Sequence, residues 1–147
     1  WLMQWCVLLQ RSRREAMPVK GCGVDAIEIA RIARAIKRPG FQGRVFTEYE
    51  RDYLSSRPVQ SWAARFAAKE AVMKSLGRGW LQGVSFAEIE IRADEWGRPS
   101  VTLVGGAREV ARQQGVTRFV VSLTHTKELA IAYVIALGEE EHAGSDW

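Results

Sequence analysis

The segment between residues 61 and 76 constrains the fold more than any other part of the sequence. It is rich in alanine, and larger apolar side chains such as Trp62, Phe66 and Val72 recur within it at helical spacing. Gly77 follows directly, at the position where a glycine commonly ends a helix. We therefore predict one long central helix around which the rest of the chain is organised.

The pattern on either side of this helix predicts shorter helices and strands. Thr47 and Glu50 have the spacing of a capping box at the start of a helix. Strands are expected at 19–27, 84–92, 101–104, 119–123 and 129–137, and helices at 28–37, 47–55, 61–76 and 106–114. The resulting order, β-α-α-α-β-β-α-β-β, is not a strict alternation. It favours an α+β fold with mostly antiparallel strands, in one domain.

The ends of the chain differ from its middle. Residues 17–138 form the predicted domain, residues 1–16 an N-terminal extension that the fold does not need, and residues 139–147 an acidic tail. A short helix laid on a membrane or on a neighbouring subunit is the alternative for the extension. No apolar run approaches the roughly 20 residues of a membrane-spanning helix, so we expect no membrane partner. The two cysteines fit free thiols in a reducing cytoplasm.

Charge and common motifs narrow the functional classes. The formal net charge is +4 even though the tail is acidic, so the predicted domain is more basic than the whole chain. Such a domain prefers nucleic acid, a polyphosphate ligand or an acidic protein. The histidines and cysteines lack zinc spacing, and no Gly-x-Ser-x-Gly elbow is present. The glycines at 21–23 and 77–79 fit neither a dinucleotide fingerprint nor a phosphate-binding P-loop.

Two acidic residues stand out from their surroundings. Asp25 lies in an otherwise apolar strand, and Glu70 lies among alanines in the central helix. In one interpretation Asp25 caps the following helix at Glu28, and Glu70 forms a solvated pair with Lys74. In the other, the two carboxylates hold a hard cation such as Mg²⁺, which takes its remaining ligands from water and phosphate oxygens. The basic residues near such a metal would then be Arg65, Lys69 and Lys74.

The turn after residue 124 offers a further candidate. His125 lies between Thr124 and Thr126, with Lys127 next to them. A lone histidine in a turn is usually a surface residue or a local hydrogen-bonding group. With two threonines and a lysine beside it, His125 is also a candidate phosphate-binding residue. The sequence alone leaves both interpretations open.

Several short motifs occur together in one order. They are Gly21 to Asp25, Ile27-Glu28-Ile29, Arg31-Ile32, Phe46-Thr47 with Glu50, Arg65 to Ala71 with Lys74, Gly77-Arg78-Gly79, Ser85-Phe86, Glu88 to Ile91, Gly97-Arg98-Pro99 and Ser122 to Glu128. In this combination the chain resembles the holo-acyl-carrier-protein synthases, the short family of 4′-phosphopantetheinyl transferases. The resemblance spans roughly residues 19–137, which is almost the whole predicted domain.

The resemblance implies an Mg²⁺-dependent enzyme. The expected reaction transfers 4′-phosphopantetheine from coenzyme A to a serine hydroxyl of an apo acyl carrier protein, releases 3′,5′-ADP, and serves fatty acid or polyketide synthesis. It implies that Asp25 and Glu70 bind the metal and that Lys74 faces the phosphates, which makes these three the catalytic residues. Glu70, directly or through a water molecule, is the best candidate for taking the serine proton, although the base is left open.

The resemblance also implies contacts with the donor and assembly with other chains. We expect the coenzyme A contacts at Arg65, Lys74, Gly79, His125 and Thr126. The family is typically a homotrimer with each active site between two subunits, which would let a short chain enclose a large ligand. Acidic carrier proteins are expected to dock on one stripe of the helix at 28–37, formed by Arg31, Arg34 and Arg38.

Two other classes of function are compatible with a small basic domain. A nucleic-acid-binding module would use the same arginine stripe on phosphates, but it leaves Asp25 and Glu70 without a role. A non-catalytic domain of a larger synthase would need a fused carrier or condensing domain, which the 147 residues do not contain. We therefore expect the carrier protein and coenzyme A as partners, and no nucleic acid.

Overall fold

The computed structural model describes residues 18–139, so the expectations for the N-terminal extension and for the tail beyond Glu139 lie outside the described residues. The strands are β1 Val19–Glu28, β2 Ile89–Ala93, β3 Pro99–Leu103, β4 Val116–His125 and β5 Leu129–Gly138. The helices are α1 Ile29–Ala35, α2 Phe41–Val45, α3 Glu48–Leu54, α4 Val59–Ser75 and α5 Gly105–Gln113. The predicted α+β class is confirmed, and the described residues form one domain.

Two antiparallel sheets carry the fold. The larger sheet has the strand order β1-β5-β4, and the smaller is the hairpin of β2 and β3. In the larger sheet Asp25 pairs with Ala132, which in turn pairs with Leu123 on β4. Residues paired in this way point to the same face of the sheet. The register therefore places Asp25 on the face that α4 covers.

The long helix α4 packs against the larger sheet through small side chains. On β5 every second residue is fully buried beneath the helix, and all but one of these are alanines: Ala130, Ala132, Val134 and Ala136. The facing residues of α4 include Ala67, Ala68 and Ala71, which are also fully buried. Because few bulky side chains separate the two layers, the helix backbone lies unusually close to the strands.

One predicted strand is shorter in the structure, and one helix of the structure was not predicted. The strand expected at 84–92 begins only at Ile89, because Phe86–Glu88 forms a 3-10 turn ahead of it. In the sequence, the alternation of apolar and polar residues is interrupted near Ala87, and this interruption coincides with the turn. The short helix Phe41–Val45 was not predicted, since its five residues carry no helical period. Thr47 does form the predicted capping box, for it accepts a hydrogen bond from the Glu50 amide while Glu50 accepts one from the Thr47 amide.

Candidate active site

The carboxylate of Asp25 is brought to α4 by two glycines on β1. A side-chain carbon added at Gly23 would lie far inside van der Waals contact of the Ala71 carbonyl oxygen, and one added at Gly21 would collide with the Ser75 carbonyl oxygen. Only glycine permits this approach of the strand to the helix backbone. Asp25 follows two residues after Gly23 on the same face, so its side chain meets the helix at Glu70 and Lys74.

Lys74 is bonded to the strand. Its Nζ donates to Asp25 Oδ1 at 3.0 Å and to the Val24 carbonyl oxygen at 3.0 Å. The interpretation of Glu70 and Lys74 as a simple pair along one helix is therefore wrong. Asp25 does not cap the next helix either, because α1 begins at Ile29 with Glu28 as its N-cap and without a side-chain cap bond.

Glu70 lies half-buried beside this ion pair. Burial raises the pKa of Glu70, and the negative charge of Asp25 raises it further, while Lys74 and Arg31 oppose the shift. The two predicted metal-binding carboxylates are thus close enough to repel each other. Carboxylates that repel in this way are the oxygen donors that a hard divalent cation holds together.

An open groove lies beside Glu70 and Lys74. It has a volume of about 350 Å³ and is lined by Glu70, Lys74, Arg78 and Gly79 among others. The predicted coenzyme A contact Gly79 therefore shares a groove with two of the predicted catalytic residues. Within residues 18–139, no three His, Cys, Asp or Glu side chains cluster as a metal site. A cation bound by Asp25 and Glu70 would need further oxygen ligands from water or substrate.

Arg65 lies on a different side of α4. It precedes Glu70 by five residues, which turns it about 140° around the helix and displaces it by about 7–8 Å along the axis. Its side chain is 7% exposed, and its guanidinium lies 4.3 Å from the centre of the Tyr53 ring. Arg57 lies over the same ring at 3.9 Å. Among the described residues, the Arg65 Nε is buried without a hydrogen-bond partner.

His125 and Thr126 lie away from the carboxylates within one chain. His125 is paired with Ala130 at the end of β4, two strands across and two residues along from Asp25. Standard strand geometry puts the two Cα atoms about 12 Å apart. The Thr126 hydroxyl accepts hydrogen bonds from the Glu128 and Leu129 amides, at 3.2 and 3.0 Å, so it shapes the turn. One chain alone does not assemble all of the predicted contacts.

The predicted docking stripe forms one surface. The exposed side chains of Arg31, Arg34 and Arg38 line a groove of about 320 Å³ together with Phe41 and Phe66. Arg31 also acts electrostatically on Glu70. The stripe therefore begins near Glu70, follows α1 through Arg34, and ends at Arg38 in the turn after the helix.

Lys69 does not lie where the sequence analysis placed it. It was expected among the basic groups near the metal, yet its side chain is fully buried on another side of α4, in an ion pair with Glu50. Burial lowers the pKa of Lys69, and the Glu50 carboxylate opposes that shift. Helical geometry could have excluded Lys69 from the site. Residues 69 and 70 point about 100° apart, so they cannot both face Asp25.

Comparison with known proteins assigns the chain to a family. Residues 21–134 match the model of the 4′-phosphopantetheinyl transferase superfamily. A holo-[acyl-carrier-protein] synthase of Ruminiclostridium cellulolyticum is 47% identical over 123 residues, which cover 80% of this chain and 92% of that protein.

Solved structures agree with this assignment. The acyl carrier protein synthase of Plasmodium yoelii with ADP bound superposes with a TM-score of 0.77 at 30% identity, covering 85% of this chain and 99% of that one. The Bacillus anthracis holo-(acyl-carrier-protein) synthase in complex with coenzyme A (3′,5′-ADP) gives 0.70 at 33% identity, covering 84% and 100%. The chain therefore belongs to the 4′-phosphopantetheinyl transferase superfamily and, within it, to the holo-[acyl-carrier-protein] synthases.

Proposed function

We propose that this protein transfers the 4′-phosphopantetheine group of coenzyme A to a serine of an apo acyl carrier protein. The β-phosphorus of coenzyme A forms a bond to the serine oxygen, its bond to the bridging oxygen breaks, and 3′,5′-ADP leaves. The main support is the match across nearly the whole domain to synthases of this name. Glu70 and Lys74 also line one groove, and Asp25 is hydrogen-bonded to Lys74. Synthesis of fatty acids or polyketides in the cytoplasm is the setting that we propose.

The residues at the groove are proposed to have different roles in binding and in proton transfer. Lys74, whose Nζ lies 3.0 Å from Asp25 Oδ1, is the proposed ligand of the pyrophosphate, and Arg78 and Gly79, which line the same groove, are proposed to contact the donor. Glu70, directly or through a water molecule, is the proposed acceptor of the serine proton, because its carboxylate lines the groove next to Lys74. Arg65, whose Nε lacks a hydrogen-bond partner among the described residues, is proposed to bind an anionic group of the donor's nucleotide end.

Mg²⁺ is the proposed metal, with Asp25 and Glu70 as its protein ligands. The mutual repulsion of two half-buried carboxylates and their all-oxygen donor set fit a hard divalent cation. When bound, the ion would offset the charge that builds on the phosphates of the leaving group. Lys74 would then exchange its bond to Asp25 for one to a phosphate oxygen.

A homotrimer with active sites between subunits is the proposed assembly. The face of the larger sheet that points away from α4 is rich in exposed apolar side chains, among them Val24 at 55%, Tyr133 at 45% and Val120 at 37% exposure. Apolar surface of this kind usually marks an interface. Burying it against another copy would remove this apolar surface from water. His125 and Thr126 of a neighbouring copy are the proposed further residues of the active site. Light scattering coupled to gel filtration tests the subunit number.

A transfer assay with defined components tests the activity. The protein is incubated with coenzyme A, Mg²⁺ and an apo acyl carrier protein, and the carrier is weighed by mass spectrometry. We expect the mass to rise by one phosphopantetheine group, and 3′,5′-ADP to appear in equal amount. A carrier with its serine changed to alanine, and a reaction with a chelator, serve as controls. An unmodified carrier under complete conditions would contradict the proposal.

A further inference from the structure

A buried ion pair lies beside α4, about 100° around the helix from Glu70 and inside the protein. The side chains of Glu50 and Lys69 are both fully buried, and Lys69 Nζ lies 2.7 Å from Glu50 Oε2. We call these two residues the buried pair. None of the proposed contacts with the donor or the carrier uses it, although Lys69 is the direct neighbour of Glu70 in the chain.

The buried pair ties α4 to three other elements. Lys69 Nζ donates to the carbonyl oxygens of Phe86, at 2.9 Å, and Ile89, so all three of its N–H groups have acceptors. Glu50 accepts hydrogen bonds from the amides of Thr47 and Ile91, each at 2.9 Å. The start of α3, the 3-10 turn and β2 are thereby all linked to one point on the long helix.

Aromatic contacts of Trp62 with Phe46 and of Phe66 with Phe86 hold the first half of α4, and the buried pair is the next anchor along the helix. The contacts of α4 with the larger sheet come mainly from buried alanines, and the glycines of β1 set only how close the helix lies. The Glu70 carboxylate lies about 5–6 Å from the helix axis, so a rotation of about 10° moves it by about 1 Å. A misplacement of about 1 Å at a reacting group can cost on the order of 100-fold in rate.

We propose that the buried pair positions Glu70 opposite Asp25 by fixing the rotation of α4, and that Glu50 and Lys69 are thus positioning residues for transfer. Directional contacts from Lys69 to Phe86, Ile89 and Glu50 hold one angular setting of the helix. Glu70, about 100° further round the helix, is then aimed at Asp25. This inference rests on the proposed function, because it assigns the pair to the same carboxylate site.

The cost of burying two charges separates positioning from stability. Replacing a buried ion pair by apolar residues of similar volume is often neutral or stabilising. A pair with only a structural role should therefore be replaceable without loss of transfer activity. A pair that sets the angle of the helix should not be, because apolar side chains make no directional contacts with Phe86 and Ile89.

The double variant Glu50→Leu with Lys69→Met tests this directly. Three quantities are measured on the full chain: the thermal midpoint, the affinity for Mn²⁺ by electron paramagnetic resonance, and kcat and KM for transfer. Mn²⁺ is the probe because it shares the oxygen ligands of Mg²⁺. Because the backbone partners of the pair lose their hydrogen bonds, we expect the thermal midpoint to fall, but no further than in a matched core variant. We expect the Kd for Mn²⁺ to rise roughly tenfold, and kcat to fall roughly 10- to 100-fold with KM for the carrier nearly unchanged.

Leu54→Ala is the matched control. Leu54 is fully buried one turn after Glu50 on α3, so its loss damages the same helix without removing the pair. It should lower the thermal midpoint and leave Mn²⁺ affinity and kcat of the folded protein as they are. If the double variant fails to fold, Glu50→Gln replaces it and is judged on the Mn²⁺ affinity and kcat of the folded protein, since it keeps an acceptor oxygen but leaves the Lys69 charge unpaired and lowers stability.

The possible outcomes separate the two proposals. Unchanged Mn²⁺ affinity and kcat in a folded variant would overturn the positioning role while the function stands. Wild-type protein that binds Mn²⁺ but transfers nothing would overturn the function, and the Mn²⁺ shift of the variant would still decide the positioning role. If Leu54→Ala instead loses as much Mn²⁺ affinity and kcat as the double variant, the pair acts through stability alone and the positioning role is overturned.

Discussion

The two sides of α4 use the same residue types in opposite ways. On one side Lys69 and Glu50 are fully buried, and every donor of the lysine is satisfied inside the protein. On the other side Lys74 is 53% exposed, and Glu70 stands half-buried next to a carboxylate that repels it. Charges whose partners all lie inside the protein suit a structural role. Charges that are only partly compensated by neighbouring groups remain available to a ligand. Solvent access and leftover charge, more than residue type, distinguish the candidate site from the core.

The open side should carry the chemistry, so its loss should have the largest effect. We expect Asp25→Ala and Glu70→Ala each to reduce transfer on the order of 1,000-fold, because each removes one of two proposed metal ligands and Glu70→Ala also removes the proposed base. The fold should be kept, since neither side chain belongs to the buried core. Transfer rates at limiting Mg²⁺, with circular dichroism as the control for folding, check this. Full activity in either variant would contradict the metal assignment.

The closed side should carry stability. Lys69→Met leaves the Glu50 carboxylate buried without its partner, and we expect a loss of about 3–5 kcal/mol in the free energy of unfolding. Lys74→Met is the matched variant five residues along the same helix. Because Lys74 is largely exposed, its ion pair with Asp25 should be worth less than about 1 kcal/mol. Denaturant unfolding of both variants gives the comparison, and equal losses would refute it.

This contrast marks the limit of what the sequence could predict. The long helix, the capping box at Thr47 and the carboxylates Asp25 and Glu70 were predicted from spacing and composition, which are local properties. The placement of Lys69 was wrong because whether a lysine is buried depends on elements that lie near it only after folding, here Glu50 and the carbonyls of Phe86 and Ile89. The partner of Lys74 was missed for the same reason, since Asp25 is 49 residues away.

The close approach of β1 to α4 offers a third test. Gly23→Ala places a methyl group against the Ala71 carbonyl oxygen, which is backbone and cannot move aside cheaply. We expect a loss of about 1–3 kcal/mol and a fall in transfer, because strand and helix must separate and Asp25 moves away from Glu70. Gly43→Ala on α2 has free space around the added carbon and should be neutral or stabilising by up to about 1 kcal/mol. A Gly23→Ala protein as stable and active as wild type would show that the close packing of β1 on α4 does not position Asp25 next to Glu70.

The arginine stripe extends the open side to the carrier protein. Because Arg31 also acts on Glu70, we choose Arg34→Glu with Arg38→Glu, which leaves the carboxylate pair untouched. We expect KM for the carrier to rise roughly tenfold, with little change for coenzyme A, since exposed charges act mainly on association. The wild-type value should also rise with salt, and the variant should lose much of that dependence. The same charge change on α5, Arg108→Glu with Arg112→Glu, is the control; if it has an equal effect, net charge and not docking is responsible.

The smallest expected effect concerns the repulsion between Asp25 and Glu70 in the absence of metal. Glu70 has a pKa in the folded state above its unfolded value, so the folded protein binds its proton more tightly than the unfolded chain does. The stability from this group is therefore fully present below the ordinary glutamate pKa of 4.5 and is lost as the pH rises through the raised value. In a chelator, Glu70→Gln should give a slightly higher thermal midpoint than wild type at pH 7, and this advantage should shrink as the pH falls towards 4. Added Mg²⁺ should stabilise the wild type and leave the variant nearly unaffected, because the cation relieves a repulsion that the amide never had. A variant less stable than wild type at pH 7 without metal would show that Glu70 makes favourable contacts in the empty site, and the contrast between an open and a closed side of α4 would then need to be redrawn.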